Sequence, residues 1–159
     1  MRSVLHNKLE EFLKILERDK TEWMDFWREY RKKLGPIVQN YERLHGLEEE
    51  DVKKLLERFK RPDLDRLKIY WEERKREGKG RVAFLLRRNS KVLDLSREDF
   101  VVFLFGGLAI STFSVVDGNR EKVVLVDVVK VWLDGKIDDL DEVVLESVKR
   151  FRRGEIHGS

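Results

Sequence analysis

The sequence predicts an α+β protein with N-terminal helices (about three or four), followed by a small, mainly antiparallel sheet and a C-terminal helix. Two observations carry this prediction. Up to about residue 77, apolar residues recur every three or four positions, as on one face of a helix. Beyond that point the apolar runs are short and are separated by turn residues. Helices first, strands next and a helix last is an order typical of the α+β class.

The N-terminal segment, residues 3–44, spaces its apolar side chains alternately four and three positions apart, which predicts helix with a heptad seam. Breaks are expected near Asp19 and at Gly35–Pro36, because proline removes a backbone donor and clashes with the preceding turn. His45–Gly46 is typical of a helix end.

Three aromatic side chains on this seam are candidates for an interface. Trp23, Trp27 and Tyr30 are bulky for a two-stranded coiled coil. We therefore expect them to pack onto the same chain or onto a second copy, and the second alternative makes them a candidate interface.

Two further helices are predicted at residues 48–60 and 64–77, and Gly78–Lys79–Gly80 then interrupts the pattern. The chain accordingly divides into a helical region, residues 1–78, and a region of antiparallel sheet plus C-terminal helix, residues 79–159. We expect the two regions to form one compact unit.

The predicted sheet contains two pairs of strands. Residues 81–88 and 92–95 form the first pair. After them, either Ser96 caps a short helix before Phe100 or the chain continues extended. Residues 108–116 and 122–129 form a hairpin around the turn at 117–119. Because residues 123–126 are apolar on both faces, we expect this last strand to be central.

The C-terminal helix is predicted to begin at Asp139, with Glu142 three residues later as the partner in a capping box. Its inner face carries Leu140, Val144, Val148 and Phe151.

Composition narrows the functional classes. The chain has no cysteine, which excludes disulfides and thiolate metal sites. Neither a signal peptide nor a membrane span is recognisable, so we expect a cytoplasmic protein. Charged residues reach 41%, and amide residues are few, as in heat-adapted proteins. The net charge of +3 is too small to indicate a polyanion partner by itself.

Charge distribution indicates a candidate basic binding patch at residues 74–91. Such a patch, with Phe84 between its cations, makes nucleic acid an alternative partner. A purely structural explanation is also open, because lysine and arginine at the edge of a sheet prevent it from pairing with the strands of other molecules. The members of the patch are Arg74, Lys75, Arg76, Lys79, Arg81, Arg87 and Arg88.

No complete catalytic motif is present. Gly106–Gly107 lacks the further glycines and the lysine of a phosphate-binding loop, so a bulge or close backbone crossing is favoured. Ser111, Thr112 and Ser114 lack a nucleophile elbow, and hydroxyls that alternate along a strand are typical of its solvated face. If the protein is an enzyme, we expect the candidate pocket to contain Glu146, Ser111 and Asp127.

One part of the sequence resembles a known family. Residues 105–118, FGGLAISTFSVVDG, and residues 122–130, KVVLVDVVK, are similar to a strand, turn and strand of predicted zinc-dependent peptidases of the gluzincin type. The resemblance covers residues 81–152. In that family a following helix carries HExxH, whose histidines bind zinc. Residues 145–149 here read LESVK, so only Glu146 matches, and the resemblance implies a degenerate relative without the metal site.

The sequence therefore favours a protein that is not an enzyme and that acts through protein–protein interaction or self-association, with no cofactor and no metal. The alternatives are a degenerate peptidase-like protein and a nucleic-acid-binding protein. We expect no association with a membrane.

Overall fold

The computed structural model describes residues 4–94 and 100–159, apart from the side chains of residues 78 and 79. Its helices are α1 (Leu9–Leu13), α2 (Trp23–Lys33), α3 (Pro36–Leu44), α4 (Glu49–Arg58), α5 (Arg61–Arg88), α6 (Ser90–Leu93), α7 (Val128–Leu133) and α8 (Leu140–Arg152). Short 3₁₀ turns span Lys14–Glu17, Lys20–Glu22 and Ile137–Asp139. The strands are β1 (Leu5–Asn7), β2 (Phe100–Phe105), β3 (Phe113–Asp117), β4 (Lys122–Asp127) and β5 (His157–Gly158).

The strands form one sheet in the order β1-β2-β4-β3-β5. Strands β1, β2 and β4 are parallel, whereas β3 is antiparallel to both β4 and β5. The α+β class, the C-terminal helix, the hairpin of β3 with β4 and the central position of β4 are confirmed. The sheet is mixed, however, and not mainly antiparallel.

Strand β2 accounts for this difference, because the sequence patterns did not assign residues 100–105 to a strand. Its sequence, FVVFLF, is apolar without alternation, and such a run does not distinguish a strand from a buried helix. With neighbours on both sides, β2 lies inside the sheet, where apolar residues on both faces are stable. The predicted strand at 108–116 begins only at Phe113.

The N-terminal segment is more broken than its heptad pattern predicted. The expected interruptions near Asp19 and at Gly35–Pro36 are confirmed, and α3 ends at Leu44 as predicted. Residues 5–7, however, form β1 at the edge of the sheet. Three residues are too few for a strand period to emerge from the sequence, so the pairing with β2 decides their conformation.

The largest error of the sequence prediction concerns helix α5, part of which was predicted as a strand. The helix runs without interruption across the predicted region boundary at residues 78–80, and it includes the supposed strand at 81–88. The other supposed strand, at 92–95, lies partly in α6, while Leu95 and Ser96 fall outside the described residues.

Burial explains why α5 continues. Val82 and Leu86, four positions apart, are buried on the helix face that also carries Trp71. Each glycine in a helix costs about 0.5–1 kcal/mol relative to alanine. Burial of a valine or leucine side chain contributes roughly 1.5–3 kcal/mol, so the packing outweighs the glycines.

The core lies between the sheet and the helices around it. Helix α1 contacts β2, α3 contacts β3, and α8 contacts both β4 and α5. The predicted capping box of α8 is absent, because Asp139 makes no side-chain capping bond. The N–H of Glu142 instead donates to the carboxylate of Asp141.

We predict that alanine substitutions will distinguish the helix from a strand at residues 82–86. In a strand, residues 84 and 86 share a face, whereas in α5 Leu86 is buried and Phe84 is 60% exposed. Leu86→Ala is expected to lower the free energy of unfolding by about 2–5 kcal/mol. Phe84→Ala should change it by less than about 1 kcal/mol. Urea denaturation measures both, and equal losses would contradict the helix.

Candidate functional site

The Asp127 carboxylate holds together the end of β4, the loop after β2 and the start of α7. Asp127 is 1% exposed. Its Oδ1 accepts hydrogen bonds from the backbone N–H groups of Gly107 (3.1 Å), Val129 (3.0 Å) and Lys130 (3.2 Å). Its Oδ2 accepts one from the N–H of Ala109 at 2.9 Å. Because α7 begins directly after Asp127, two of these four bonds cap that helix.

Two buried tyrosines fix the same loop from the helical side. The Tyr30 hydroxyl, on α2, donates to the carbonyl of Gly106 at 2.9 Å. The Tyr41 hydroxyl, on α3, accepts the N–H of Leu108 at 3.0 Å. The backbone of residues 106–109 is therefore bonded, residue by residue, to side chains that come from three different elements.

The glycine pair is required by close packing of this loop. A Cβ on Gly106 would lie 2.2 Å from the Phe12 ring, and one on Gly107 would lie 2.6 Å from Oδ2 of Asp127. The close contacts are with side chains, so the predicted bulge or close backbone crossing in a sheet is not what requires these glycines. Ala109 has a φ of 58°, an unusual conformation for a residue other than glycine, and its bond to Asp127 holds it there.

Burial dominates the electrostatics of this cluster. It raises the pKa of Asp127 to about 6, although the four amide donors oppose the shift. Burial and the neighbouring Asp127 raise the pKa values of Tyr30 and Tyr41 well above the ordinary value. Since the Asp127 carboxylate is enclosed and bonded by four amides, its geometry is that of a structural clamp.

The structure does not assemble the predicted candidate pocket. Asp127 is enclosed as described, and Ser111 is 7% exposed. Glu146, by contrast, has a side chain that is 58% exposed and that pairs with Arg153 at 3.3 Å on the surface of α8. Neither the cleft beside Tyr70 and Asp141 nor the one beside Phe59 and Leu133 is lined by any of these three residues.

A second polar cluster was not predicted from the sequence. His45, the C-cap of α3, places Nε2 at 2.9 Å from the Oγ of Ser114 on β3. The ring of His157, on β5, lies 5.6 Å from that of His45. Ser114 is 2% exposed, so the expectation that this strand's hydroxyls mark a solvated face is wrong at this position. Burial, and then His157, lowers the pKa of His45.

The aromatic candidate interface is part of the core of a single chain. Trp23, Trp27 and Tyr30 are 1%, 0% and 2% exposed. Trp27 donates its indole N–H to Glu42 at 3.2 Å, and Arg31 forms an ion pair with the same carboxylate at 2.6 Å. Of the two alternatives for these three residues, packing onto a second copy is therefore wrong, and they pack onto the same chain.

The basic patch lies on α5, and its cations differ in how they are compensated. Arg74 lies 4.5 Å from the ring centre of Tyr70, Lys75 pairs with Glu10 at 2.5 Å, and Arg81 lies 3.9 Å from Glu77. Arg76 and Arg87 are exposed and form no ion pair among the described residues, and the same holds for Arg88 and Lys91. The side chain of Lys79 lies outside the described part.

Three arginines near the C-terminus, Arg150, Arg152 and Arg153, bind groups of the same chain. Arg150 bonds Glu155 at 3.0 Å, Arg152 donates to the carbonyl of Leu93 at 2.7 Å, and Arg153 pairs with Glu146. Of the two basic runs, the one on α5 therefore keeps Arg76, Arg87 and Arg88 without an ion pair among the described residues.

Arg76 and Arg87 belong to a stripe that we name the outer face of α5, which is exposed to solvent except at the half-buried Ala83. Ile69 and Phe84 on this face are 57% and 60% exposed. The stripe repeats every three or four residues on the side opposite Trp71. It consists of Ile69, Glu73, Arg76, Gly80, Ala83, Phe84 and Arg87.

We predict that Asp127→Asn destabilises the protein by breaking one hydrogen bond, the one from the N–H of Ala109 to Oδ2. With its oxygen in the place of Oδ1, asparagine keeps three of the bonds and presents an N–H donor to Ala109. The expected loss is about 1–3 kcal/mol of unfolding free energy, the usual cost of an unsatisfied buried donor. Chemical denaturation measures it, with faster amide exchange at Ala109 as the local readout. Unchanged stability together with unchanged exchange would contradict the clamp.

We further predict that the imidazole of His45 titrates below its ordinary pKa of 6.5, because burial disfavours its charged form. A histidine whose folded-state pKa is lowered contributes stability above about pH 6.5, and this contribution is lost as the pH falls below that value. His157→Gln should raise the pKa of His45 by removing a nearby cation. NMR titration of the His45 ring protons measures both, and a pKa at or above 6.5 would contradict the buried geometry.

The described part of the chain contains no group of three or more histidine, cysteine, aspartate or glutamate side chains that could hold a metal ion. Across residues 4–94 and 100–159, no helix is both long and apolar enough to cross a membrane. Comparison with known proteins found no matching family model, no matching curated protein and no matching solved structure. The gluzincin resemblance therefore stays a prediction.

Proposed function

We propose that the protein is non-catalytic and acts by binding another protein through the outer face of α5. The supporting observation is the exposure of Phe84 between two unpaired cations. Phe84 is 60% exposed and lies between Arg76 and Arg87, neither of which has an ion pair among the described residues. Arginine and aromatic side chains are enriched at protein interfaces, where a few such residues supply most of the binding energy.

The interior polar groups support the non-catalytic part of the proposal. Asp127 is bonded by four amides. Ser114 is bonded to His45 but is 2% exposed, so a substrate would not reach its hydroxyl. A nucleophile or base has to lie within hydrogen-bond reach of its substrate, and these groups are held inside the fold.

Charge supports a partner with an acidic surface. Four cations, Arg76, Arg87, Arg88 and Lys91, lie along α5 and α6 without an ion pair among the described residues. A like-signed group of this kind attracts a surface of opposite charge and accelerates the encounter with it. The exposed side chains of Ile69 and Phe84 would then add apolar contact area. The proposal retains the cytoplasmic location predicted from the sequence.

A second candidate function is nucleic-acid binding by the same four cations. Unpaired arginine and lysine side chains also neutralise phosphates, and their affinity then falls steeply with salt concentration. The exposed apolar side chains favour protein over nucleic acid, because Ile69 and Val92, which are 57% and 73% exposed, gain nothing from a phosphate backbone.

We predict that a photo-crosslinking side chain at position 84 forms adducts with protein. Phe84→p-benzoylphenylalanine keeps an aromatic ring at the same exposed site and is used in the full chain in an extract of source cells. The matched control carries the same group at Leu133, which is 44% exposed on α7. Defined protein adducts, resistant to nuclease and specific to position 84, are expected.

Two outcomes would overturn the proposal. Adducts that nuclease removes would identify nucleic acid as the partner. The same weak labelling from positions 84 and 133 would show that the outer face of α5 binds nothing.

A further inference from the structure

We infer that the partner binds through an acidic amphipathic helix that places one large apolar side chain against Gly80. This inference rests on the proposed function, since it names the chemistry that occupies the outer face of α5. The side of an α-helix offers no free backbone donors or acceptors, so a segment packed on α5 has to satisfy its own backbone hydrogen bonds. A helical segment does so, and helices pack closely on helices.

Gly80 forms a notch in the middle of the outer face. It is exposed, and a Cβ built there has no atom within 4 Å, so packing inside the chain does not require a glycine. Glycine in a helix interior lowers stability relative to alanine. Ala83, the other small residue of the stripe, lies three positions further on and widens the notch. The notch therefore leaves room for a large side chain from a second helix.

Two different side chains border this notch. At about 100° per residue, Phe84 lies about 40° to one side of Gly80 and Arg76 about 40° to the other. Phe84 is 60% exposed, and Arg76 has no ion pair among the described residues. An aromatic side chain in the notch would contact the ring of Phe84 and the guanidinium of Arg76, and both contacts are favourable.

The unpaired cations set the positions of the partner's carboxylates. Arg87 follows Gly80 by seven residues and lies on the same side of it as Arg76, so the two arginines share one edge of the stripe, about 16.5 Å apart. A helix aligned with α5 meets both arginines if its carboxylates lie four and seven residues from the large apolar side chain. Glu73, the one acid of the stripe, lies on the Phe84 side, and carboxylates on the opposite edge avoid it.

The test uses a designed peptide as the probe, in fluorescence anisotropy with the full chain at low salt. The peptide is a blocked, fluorescein-labelled, alanine-rich segment of about 20 residues, which is long enough to form a helix in water. It carries one central tryptophan, with glutamates four and seven residues to each side. We expect saturable binding. Replacement of the tryptophan by alanine, or of the glutamates by glutamine, should weaken it about tenfold or more.

Variants at Gly80 test the notch itself. Gly80→Ala and Gly80→Leu fill it in two steps and should weaken binding of the tryptophan peptide progressively, by about tenfold or more for leucine. Gly80→Ala should also raise the midpoint of urea denaturation, because alanine favours a helix and meets no atom there. A variant that is more stable and yet binds more weakly separates the notch from a folding defect.

Charge reversals test the edge of the stripe. Arg76→Glu and Arg87→Glu should each weaken binding about tenfold, because repulsion replaces attraction. The matched controls lie on the exposed surface of α4. Arg58→Glu makes the same charge change, and Lys54→Leu adds the same side chain as Gly80→Leu. Both controls should bind the peptide as the wild-type chain does.

Absence of saturable binding, or equal affinity of the wild-type chain and Gly80→Leu, would overturn the inference. Equal affinity for the tryptophan and alanine peptides would do the same, since the contact would then be electrostatic alone. In each of these cases, specific protein adducts from position 84 would leave the proposed function standing, and their absence would end both.

Discussion

The four hydrogen bonds that the buried Asp127 carboxylate accepts from backbone amides are the constraint on which the fold around the sheet depends. They tie the loop after β2 to the start of α7, two segments about twenty residues apart in sequence. Tyr30 and Tyr41 attach the helical layer to the same loop. The Asp127 carboxylate thus aligns strands β2 and β4 with the helices that cover them. Replacement of this carboxylate by an apolar group would leave four buried amides without their acceptor.

This arrangement bears on function because it uses the side chains that otherwise resemble catalytic groups. Asp127 and Ser114 lie inside the molecule with their bonding partners, and Glu146 lies outside, paired with Arg153. The outer face of α5 differs from this interior, because it presents apolar side chains and unpaired cations to solvent. The described residues therefore separate into a polar interior that maintains the fold and a helical surface suited to a partner.

The sequence predicted the parts of the fold that have a clear period or a clear stop signal. The break at Gly35–Pro36, the hairpin of β3 with β4 and the final helix follow from local chemistry. Strand β1 and the continuation of α5 beyond Gly80 depend on tertiary packing, which local patterns do not record. Asp127 was recognised as a polar group of interest, but its role was not, because its partners Gly107 and Ala109 come from another part of the chain. The contact of His45 with Ser114, across 69 positions, gave no signal in the sequence.

The separation of interior from surface is tested most directly by hydroxyl-radical footprinting of the intact protein in dilute solution. We expect Phe84 and Ile69, which are 60% and 57% exposed, to be modified readily. Trp27 and Tyr30, which are 0% and 2% exposed, should be protected. Modification of Trp27 or Tyr30 as readily as of Phe84 would contradict the separation.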